Sequence, residues 1–242
     1  MHAVDFSRTG KFATTELDLF VGKDYLVTFH RTPLKSVQGA IDRVNTSGGI
    51  IARGPDRLAH TVLDLLVDNY QPVMVELAGE LEDIEETVLA KESSSKGFMA
   101  EILKVRGDFS KLRAIAGPQR EVIERLARGE NKLIRTVMLP YFRDLRDNLV
   151  RLDATAASHH ERLMMAFDIF LNKAAFEANE GIKFLTAITA LTLPAVVVGG
   201  WYGMNFEHMP ELHSPHGYLY AFVLTVVSTA LMVIYLKKRK WF

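Results

Sequence analysis

Tyr202-Gly203-Met204-Asn205 lies between two uncharged apolar runs, Phe184 to Trp201 and Tyr218 to Leu236. Each run comes close to the roughly 20 residues that a helix needs to cross the hydrocarbon core of a bilayer. The core helix of a soluble protein rarely stays uncharged for so long. The two runs therefore predict a membrane protein whose chain ends in a two-helix hairpin, with the tetrapeptide at its tip. The loop from Tyr202 to Gly217 contains no Lys or Arg, whereas Lys173 and Lys183 precede the first run and Lys237, Lys238, Arg239 and Lys240 follow the second. The positive-inside rule then puts both termini in the cytoplasm and the loop outside. Trp201, Tyr202, Tyr218, Tyr235 and Trp241 fall where aromatic belts are expected.

Composition narrows the function. The 242 residues carry 29 basic and 29 acidic side chains, a balance that gives no hint of a nucleic-acid partner. The absence of cysteine excludes disulfides and thiolate metal sites. The first residues include His2, Asp5 and Arg8 and do not read as a cleavable secretory signal. No nucleophile–base set, phosphate loop or HExxH motif is found, so the chain is not expected to be an enzyme.

The pattern reads as an α+β membrane protein. Residues 1–139 form a cytoplasmic domain, with a residual α/β part at 1–55 and an antiparallel helical pair at 56–128. A stalk helix covers 140–180, the first transmembrane helix 181–201, the outer loop 202–217, the second transmembrane helix 218–236, and a basic cytoplasmic tail 237–242. Strands are expected at His2 to Phe6, Thr15 to Val21 and Asp24 to His30, the last two joined by a tight turn at Val21-Gly22-Lys23-Asp24. A short helix follows from Leu34 to Val44, closed by a loop from Asn45 to Gly49. Asp56 to Ala90 reads as one helix, because Val62, Leu66, Tyr70, Val73, Leu77, Leu81, Ile84 and Val88 alternate steps of four and three, the mark of a coiled-coil seam. Lys91 to Lys96 is a break. A second seam runs through Phe98, Ile102, Val105, Phe109, Leu112, Ala116, Ile123 and Leu126, and the short loop implies an antiparallel pair. A third helix begins around Pro140, a residue tolerated in a first turn. Its seam is Leu145, Leu149, Leu152, Ala156, His159, Leu163, Ala166 and Phe170. It reads as one element of about 60 residues, on the order of 90 Å, continuing into the membrane.

Tyr202-Gly203-Met204-Asn205-Phe206, followed by Met209-Pro210-Glu211-Leu212 and a second span ending in a basic tail, closely resembles the CorA family of magnesium channels. Pro140-Tyr141-Phe142-Arg143-Asp144 and Leu63-Asp64-Leu65-Leu66-Val67-Asp68 extend the resemblance back toward Thr15. It implies a homopentamer in the plasma (inner) membrane, with the first span lining a pore. On that reading Asn179, Ile182, Thr189, Leu193 and Gly200 approach the axis, and Gly203, Met204 and Asn205 form the selectivity filter. Leu193 stands where many members carry methionine beside the proline, and an apolar ring there can gate by dewetting.

The chemistry suits the ion. Magnesium dehydrates reluctantly and prefers six near-ideal oxygen ligands. A ring of Asn205 carboxamides can accept hydrogen bonds from the waters of the hydrated ion and still release it. Gly203 permits backbone conformations closed to other residues, which suits a sharp exit from a helix. The plain alternative for Gly203 and Asn205 is a helix C-cap. Glu207 and Glu211 in the outer loop would concentrate cations at the entrance. His208, His213 and His216 share that loop but match no standard zinc spacing.

The resemblance further implies a sensor. Asp144 would help bind regulatory magnesium between subunits. Glu76, Glu80, Glu82, Asp83, Glu85 and Glu86 would face a basic collar of Lys237, Lys238, Arg239 and Lys240 near the cytoplasmic mouth. Low internal magnesium would then loosen the assembly and open the pore. No cofactor is expected, Mg2+ being substrate and regulatory ligand; the partners are further copies of the chain, divalent cations and the bilayer. Relatives carry more strands and helices ahead of the segment at Thr15, where the acid expected opposite Asp144 would lie. Two alternatives stay open: a zinc, cobalt or nickel transporter of the same family, and a membrane-anchored coiled-coil scaffold that conducts nothing.

Overall fold

The computed structural model describes residues 1–6, 12–46, 49, 53–90, 97–205, 214–239 and 241. The chain divides into two compact units, Met1–Phe170 and Leu171–Phe242.

The first unit opens with a three-stranded antiparallel sheet in the order β1-β2-β3, with β1 at His2–Phe6, β2 at Phe12–Val21 and β3 at Leu26–His30. His2 pairs with Glu16 and Phe6 with Phe12; Leu17 pairs with His30 and Val21 with Leu26. The second strand begins earlier than the alternation of Thr15 to Val21 suggests, and the third begins later than Asp24. The early start follows from pairing with β1, whose Phe6 stands opposite Phe12, and the late start of β3 follows from the turn. The Gly22 N–H donates to the Tyr25 carbonyl at 2.9 Å, so the reversal is centred on Lys23 and Asp24. A Cβ on Gly22 would sit 2.4 Å from the Tyr25 ring, so a larger residue there would have to displace that exposed ring. Leu17 points into the core, while Phe20, Tyr25, Val27 and Phe29 remain exposed.

Helix α1 (Lys35–Thr46) runs on through Asn45 and Thr46, where a loop is expected from the sequence. The Thr46 hydroxyl donates to the Asp42 carbonyl at 2.8 Å and holds that last turn.

The helix expected from Asp56 to Ala90 is two helices, α2 (Pro55–Asp68) and α3 (Tyr70–Leu89), joined at Asn69. Pro72 explains the break. In an unbroken helix its ring would meet the Asp68 carbonyl, and it has no N–H to donate there. Placed in the first turn of α3, the missing N–H costs nothing, because first-turn donors lack intrahelical partners. The apolar seam nonetheless passes through the joint, and all eight of its residues from Val62 to Val88 are buried. The break expected at Lys91 to Lys96 lies outside the described residues.

Helix α4 (Phe98–Ala127) packs antiparallel to α3. The pairings fix the direction: the Gln119 amide donates to the Tyr70 hydroxyl at 2.6 Å at one end, and Lys104 pairs with Glu80 at 2.9 Å nearer the other. The Tyr70 hydroxyl in turn donates to the His2 carbonyl at 2.6 Å, which ties the sheet to the helices. A 3₁₀ turn (Thr136–Met138) then leads into α5 (Leu139–Tyr202), a helix of 64 residues. Its first part lies antiparallel to α4, since Arg113 and Arg120 meet Asp153, Phe109 meets His159 and Phe98 meets Phe170. Phe142, Leu145, Leu149, Leu152, Ala156, Leu163 and Ala166 are buried along this seam. Each fully buried leucine contributes about 1.5–3 kcal/mol relative to exposure.

The start of α5 is anchored by a feature that periodicity does not reveal. Asp56 is buried at the head of α2 and accepts from the Arg135 backbone N–H (3.1 Å), from Arg135 Nε (2.8 Å) and Nη2 (2.6 Å), and from the Arg57 N–H (2.8 Å). Arg135 also donates to the Arg53 carbonyl. Gly54 sits beside this clamp with φ of 97°, and a Cβ there would lie 2.9 Å from Arg135 Nη2. Burial pushes the Asp56 carboxyl up. The Arg135 side-chain hydrogen bonds, the backbone N–H groups of Arg135 and Arg57, and the guanidinium charge outweigh it and hold the group below its usual range.

The second unit contains the remainder of α5 and α6 (Gly217–Lys238). Both helices are long and apolar enough to span a membrane. Phe184, Leu185, Val196, Trp201, Tyr218, Tyr220, Leu231 and Ile234 are more than half exposed. So much uncovered apolar surface marks a lipid or protein interface. Five hydroxyl groups within these spans are satisfied locally. Thr186 donates to the Ile182 carbonyl (2.7 Å), Thr189 to Leu185 (2.9 Å), Thr192 to Thr189 (3.0 Å), Thr225 to Ala221 (2.8 Å) and Ser228 to Leu224 (2.6 Å).

Candidate ion-conduction site

The end of α5 carries the tetrapeptide. The Gly203 N–H donates to the Gly199 carbonyl at 2.9 Å, and the Met204 N–H reaches back three residues to Trp201 at 3.3 Å, so the last turn tightens before the helix ends. Gly203 is not in the left-handed region expected of a helix exit; among the described glycines only Gly54 and Gly129 have positive φ. What requires glycine is a close approach. A Cβ on Gly203 would stand 2.8 Å from the Gly199 carbonyl oxygen, and a backbone atom cannot move aside as a side chain can. Met204 and Asn205 follow, both exposed.

Asn179, Ile182, Thr189, Leu193 and Gly200 all lie on α5. Their steps of three, seven, four and seven place them on one face of a helix with 3.6 residues per turn. All five are exposed. The inward-facing residues of the same stretch are elsewhere: Ala187 and Val198 are buried, with Ala190, Leu191 and Pro194 half-buried between them, about a third of a turn round the helix. The face that holds these five residues is thus distinct from the face packed within the unit. Because the Thr189 hydroxyl donates its hydrogen to the Leu185 carbonyl, what it presents outward is oxygen lone pairs. A Cβ added at Gly199 or Gly200 would meet no atom of this chain within 4 Å. At the lower end of this face, Lys183 pairs with Glu180 at 2.7 Å, next to Asn179.

Asp144 is exposed on α5, one helical turn from Asn148 and Tyr141. Its surroundings were not legible from spacing. His60 on α2 contacts the Tyr141 carbonyl through Nε2 at 3.2 Å and stands edge-on to the rings of Tyr141 and Phe142. The Arg57 guanidinium lies 4.3 Å over the Tyr141 ring. Burial pushes the His60 imidazole below its ordinary range, and the Arg57 charge adds to this; Asp64, the Tyr141 carbonyl and Asp144 oppose it. Asp68, of the Leu63–Asp68 motif, is pushed up by burial and by Asp64. Among the described residues no three His, Asp or Glu side chains gather closely enough to hold a metal ion.

The acidic run on α3 is partly engaged within its own unit: Glu80 pairs with Lys104 and Glu85 with Arg162. Lys237 and Lys238 end α6 and Arg239 caps it; all three are exposed. Cations at that end complement the partial negative charge of the helix C-terminus. Lys240, Glu207 and Glu211, together with His208 and His213, lie outside the described residues. The Asp56–Arg135 clamp was missed because its partners are far apart in sequence. Asp56 directly after Pro55 at a helix start was the one available signal.

The sequence matches the family described as CorA-like Mg2+ transporter protein over residues 1–238. It is 32% identical over 201 residues to the cobalt/magnesium transport protein CorA of Thermotoga maritima, covering 83% of this chain and 57% of that protein. It is 28% identical to the putative metal ion transporter YfjQ of Bacillus subtilis, covering 95% of this chain and 71% of the relative. The chain thus spans little more than half the length of the first of these relatives. Among solved structures, the complete CorA magnesium transporter from Methanocaldococcus jannaschii superposes with a TM-score of 0.86 at 24% identity, covering 100% of this chain and 75% of that one. Full-length CmaX superposes with a TM-score of 0.80 at 20% identity. The small antiparallel sheet, the helical body, the helix that continues into an apolar span and the second apolar helix are the same fold in these structures. With the family match running from residue 1 to residue 238, the chain belongs to the CorA-like Mg2+ transporter family.

Proposed function

We propose that the chain is a magnesium channel that works as a homopentamer in the plasma membrane, both termini in the cytoplasm, with α5 lining the pore. The observation that carries this reading is the face of α5 that holds Asn179, Ile182, Thr189, Leu193 and Gly200, all exposed, and that leads to Gly203-Met204-Asn205. Repeated round an axis, this face supplies carboxamides at both ends, hydroxyl lone pairs at Thr189 and two apolar rings, at Ile182 and Leu193. Neutral oxygens suit a cation that keeps its water, because they bind weakly enough to let it leave. The Asn205 ring selects the hydrated ion, Leu193 closes the path by excluding water, and Glu207 and Glu211 raise the local cation concentration outside. Asp144 is the ligand through which internal Mg2+ holds the pore shut, and Lys237 to Lys240 form the basic collar. The name of the Thermotoga relative includes cobalt, so Co2+ is the second ion to test.

Purified protein in liposomes loaded with a magnesium-sensitive dye tests the reading. Mg2+ entry under an inward gradient is expected for the wild type and is expected to vanish in Asn205→Ala. An assembled oligomer that passes no Mg2+, Co2+ or Zn2+ would favour a non-conducting scaffold.

A further inference from the structure

Among the described residues, the seam between α3, α4 and α5 carries a histidine that the proposed conduction path does not use. His159 occupies a core position of α5, between the buried Ala156 and Leu163. Its ring lies 5.9 Å from that of Phe109 on α4. Its Nδ1 is buried and has no hydrogen-bond partner, and the same is true of Nδ1 of the neighbouring His160. Charges reach His159 from two helices. Glu82 and Glu85 face it from α3, and Arg162 lies one turn further along α5. Helix α4 contributes the Phe109 ring, and the adjacent Asp108 is paired with Lys111 at 3.2 Å. Glu85 is already held by Arg162, whose Nε and Nη2 donate to its two oxygens at 3.1 and 2.6 Å.

A neutral imidazole tolerates this setting. It carries one N–H, and a lone pair left facing apolar surroundings costs little. An imidazolium does not tolerate it, because a charged N–H at Nδ1 would be buried without an acceptor. Of the two carboxylates that face it, Glu85 is occupied, so the new cation would compete with the Arg162 guanidinium for it. We propose that His159 is a proton-sensitive latch: neutral, it packs in the seam, and protonated, it loosens α5 from α3 and α4. The inference concerns packing within the first unit and stands whether or not the chain conducts ions.

The direction agrees with the local electrostatics. Burial first and then Arg162 push the imidazole below its ordinary value of 6.5, against the opposing pull of Glu85 and Glu82. A histidine of this kind stabilises the packed state above its unfolded value. That contribution is lost as pH falls below 6.5 and through the depressed folded value. The sensitive window is therefore mildly acidic.

Hydrogen–deuterium exchange on the full chain in detergent micelles at pH 7.5 and pH 5.5, corrected for the intrinsic pH dependence of exchange, tests the latch. Peptides covering 152–166 of the wild type are expected to lose protection by about tenfold on acidification. In His159→Leu and His159→Gln the change is expected to stay within about twofold. Leucine fits the apolar seam and glutamine keeps a neutral polar group, so one variant covers a packing failure of the other. His60 remains in all three proteins and serves as an internal control through peptides of α2. A wild type that shows no loss, or a loss that persists in both variants, overturns the proposal.

Discussion

Gly203 shows how a residue can be legible while its reason is not. Its position after Trp201 and Tyr202 and before Met204-Asn205 singles it out. Glycine's conformational freedom suggests a sharp helix exit, but the structure requires glycine because the Gly199 carbonyl oxygen would lie 2.8 Å from a Cβ. Gly203→Ala is therefore expected to displace the end of α5 and reduce Mg2+ flux while leaving oligomer assembly intact, as read by liposome transport alongside size-exclusion chromatography. Asp144 makes the complementary point. Its identity was readable from the Pro140–Asp144 motif, whereas its neighbour His60 was not, since it arrives from α2 through the fold. Asp144→Asn is expected to raise the internal Mg2+ concentration needed for half-inhibition by roughly tenfold, within the range of common coupling energies. An unaltered dose–response would remove Asp144 from the sensor. Asp56 yields a pH prediction. Its folded value is held below the usual 3.8, so its contribution is complete above 3.8 and disappears as pH falls through the lower folded value. Asp56→Asn is expected to lower the thermal midpoint at pH 7 and to flatten its acid dependence below pH 4, measured by circular dichroism in micelles.

Helices announce themselves through what repeats, and they hide where they stop. The seams of α3, α4 and α5 were readable because every third or fourth residue is apolar, and burial follows that stripe from Val62 to Ala166. Leu77→Ala at its centre is expected to cost about 2–5 kcal/mol in a chemical denaturation series, since Leu77 is fully buried. The joint at Asn69 escaped periodicity because the apolar stripe crosses it without a change of phase. Pro72 was the available sign, and its meaning depends on the Asp68 carbonyl it would otherwise strike. The start of β2 escaped because pairing with β1 sets it, and the start of β3 because the Gly22 N–H bonds back to the Tyr25 carbonyl.

At the scale of the molecule, charge segregation and hydropathy were sufficient to read a hairpin of two spans at the end of the chain. Neither can read the number of copies, because that depends on surfaces that only another chain completes. The absence of native cysteine offers a direct route. A single cysteine at Leu193→Cys, which sits on the exposed face of α5, is expected to form oxidative cross-links between subunits, and mild cross-linking of assembled protein with a lysine reagent is expected to give a ladder ending at five. Cross-links absent at Leu193→Cys but present on the opposite face of α5 would reverse the assignment of the pore-facing side.

The hydroxyls of Thr186, Thr189, Thr192, Thr225 and Ser228 each find an acceptor on their own helix. These five hydroxyls therefore need no partner from a neighbouring helix when the spans meet lipid. On the proposed reading, biogenesis would then divide into two separable stages, insertion of a lone hairpin at the translocon and then lateral gathering of finished copies. A defect in the second stage would leave correctly inserted orphans in the bilayer rather than misfolded chains.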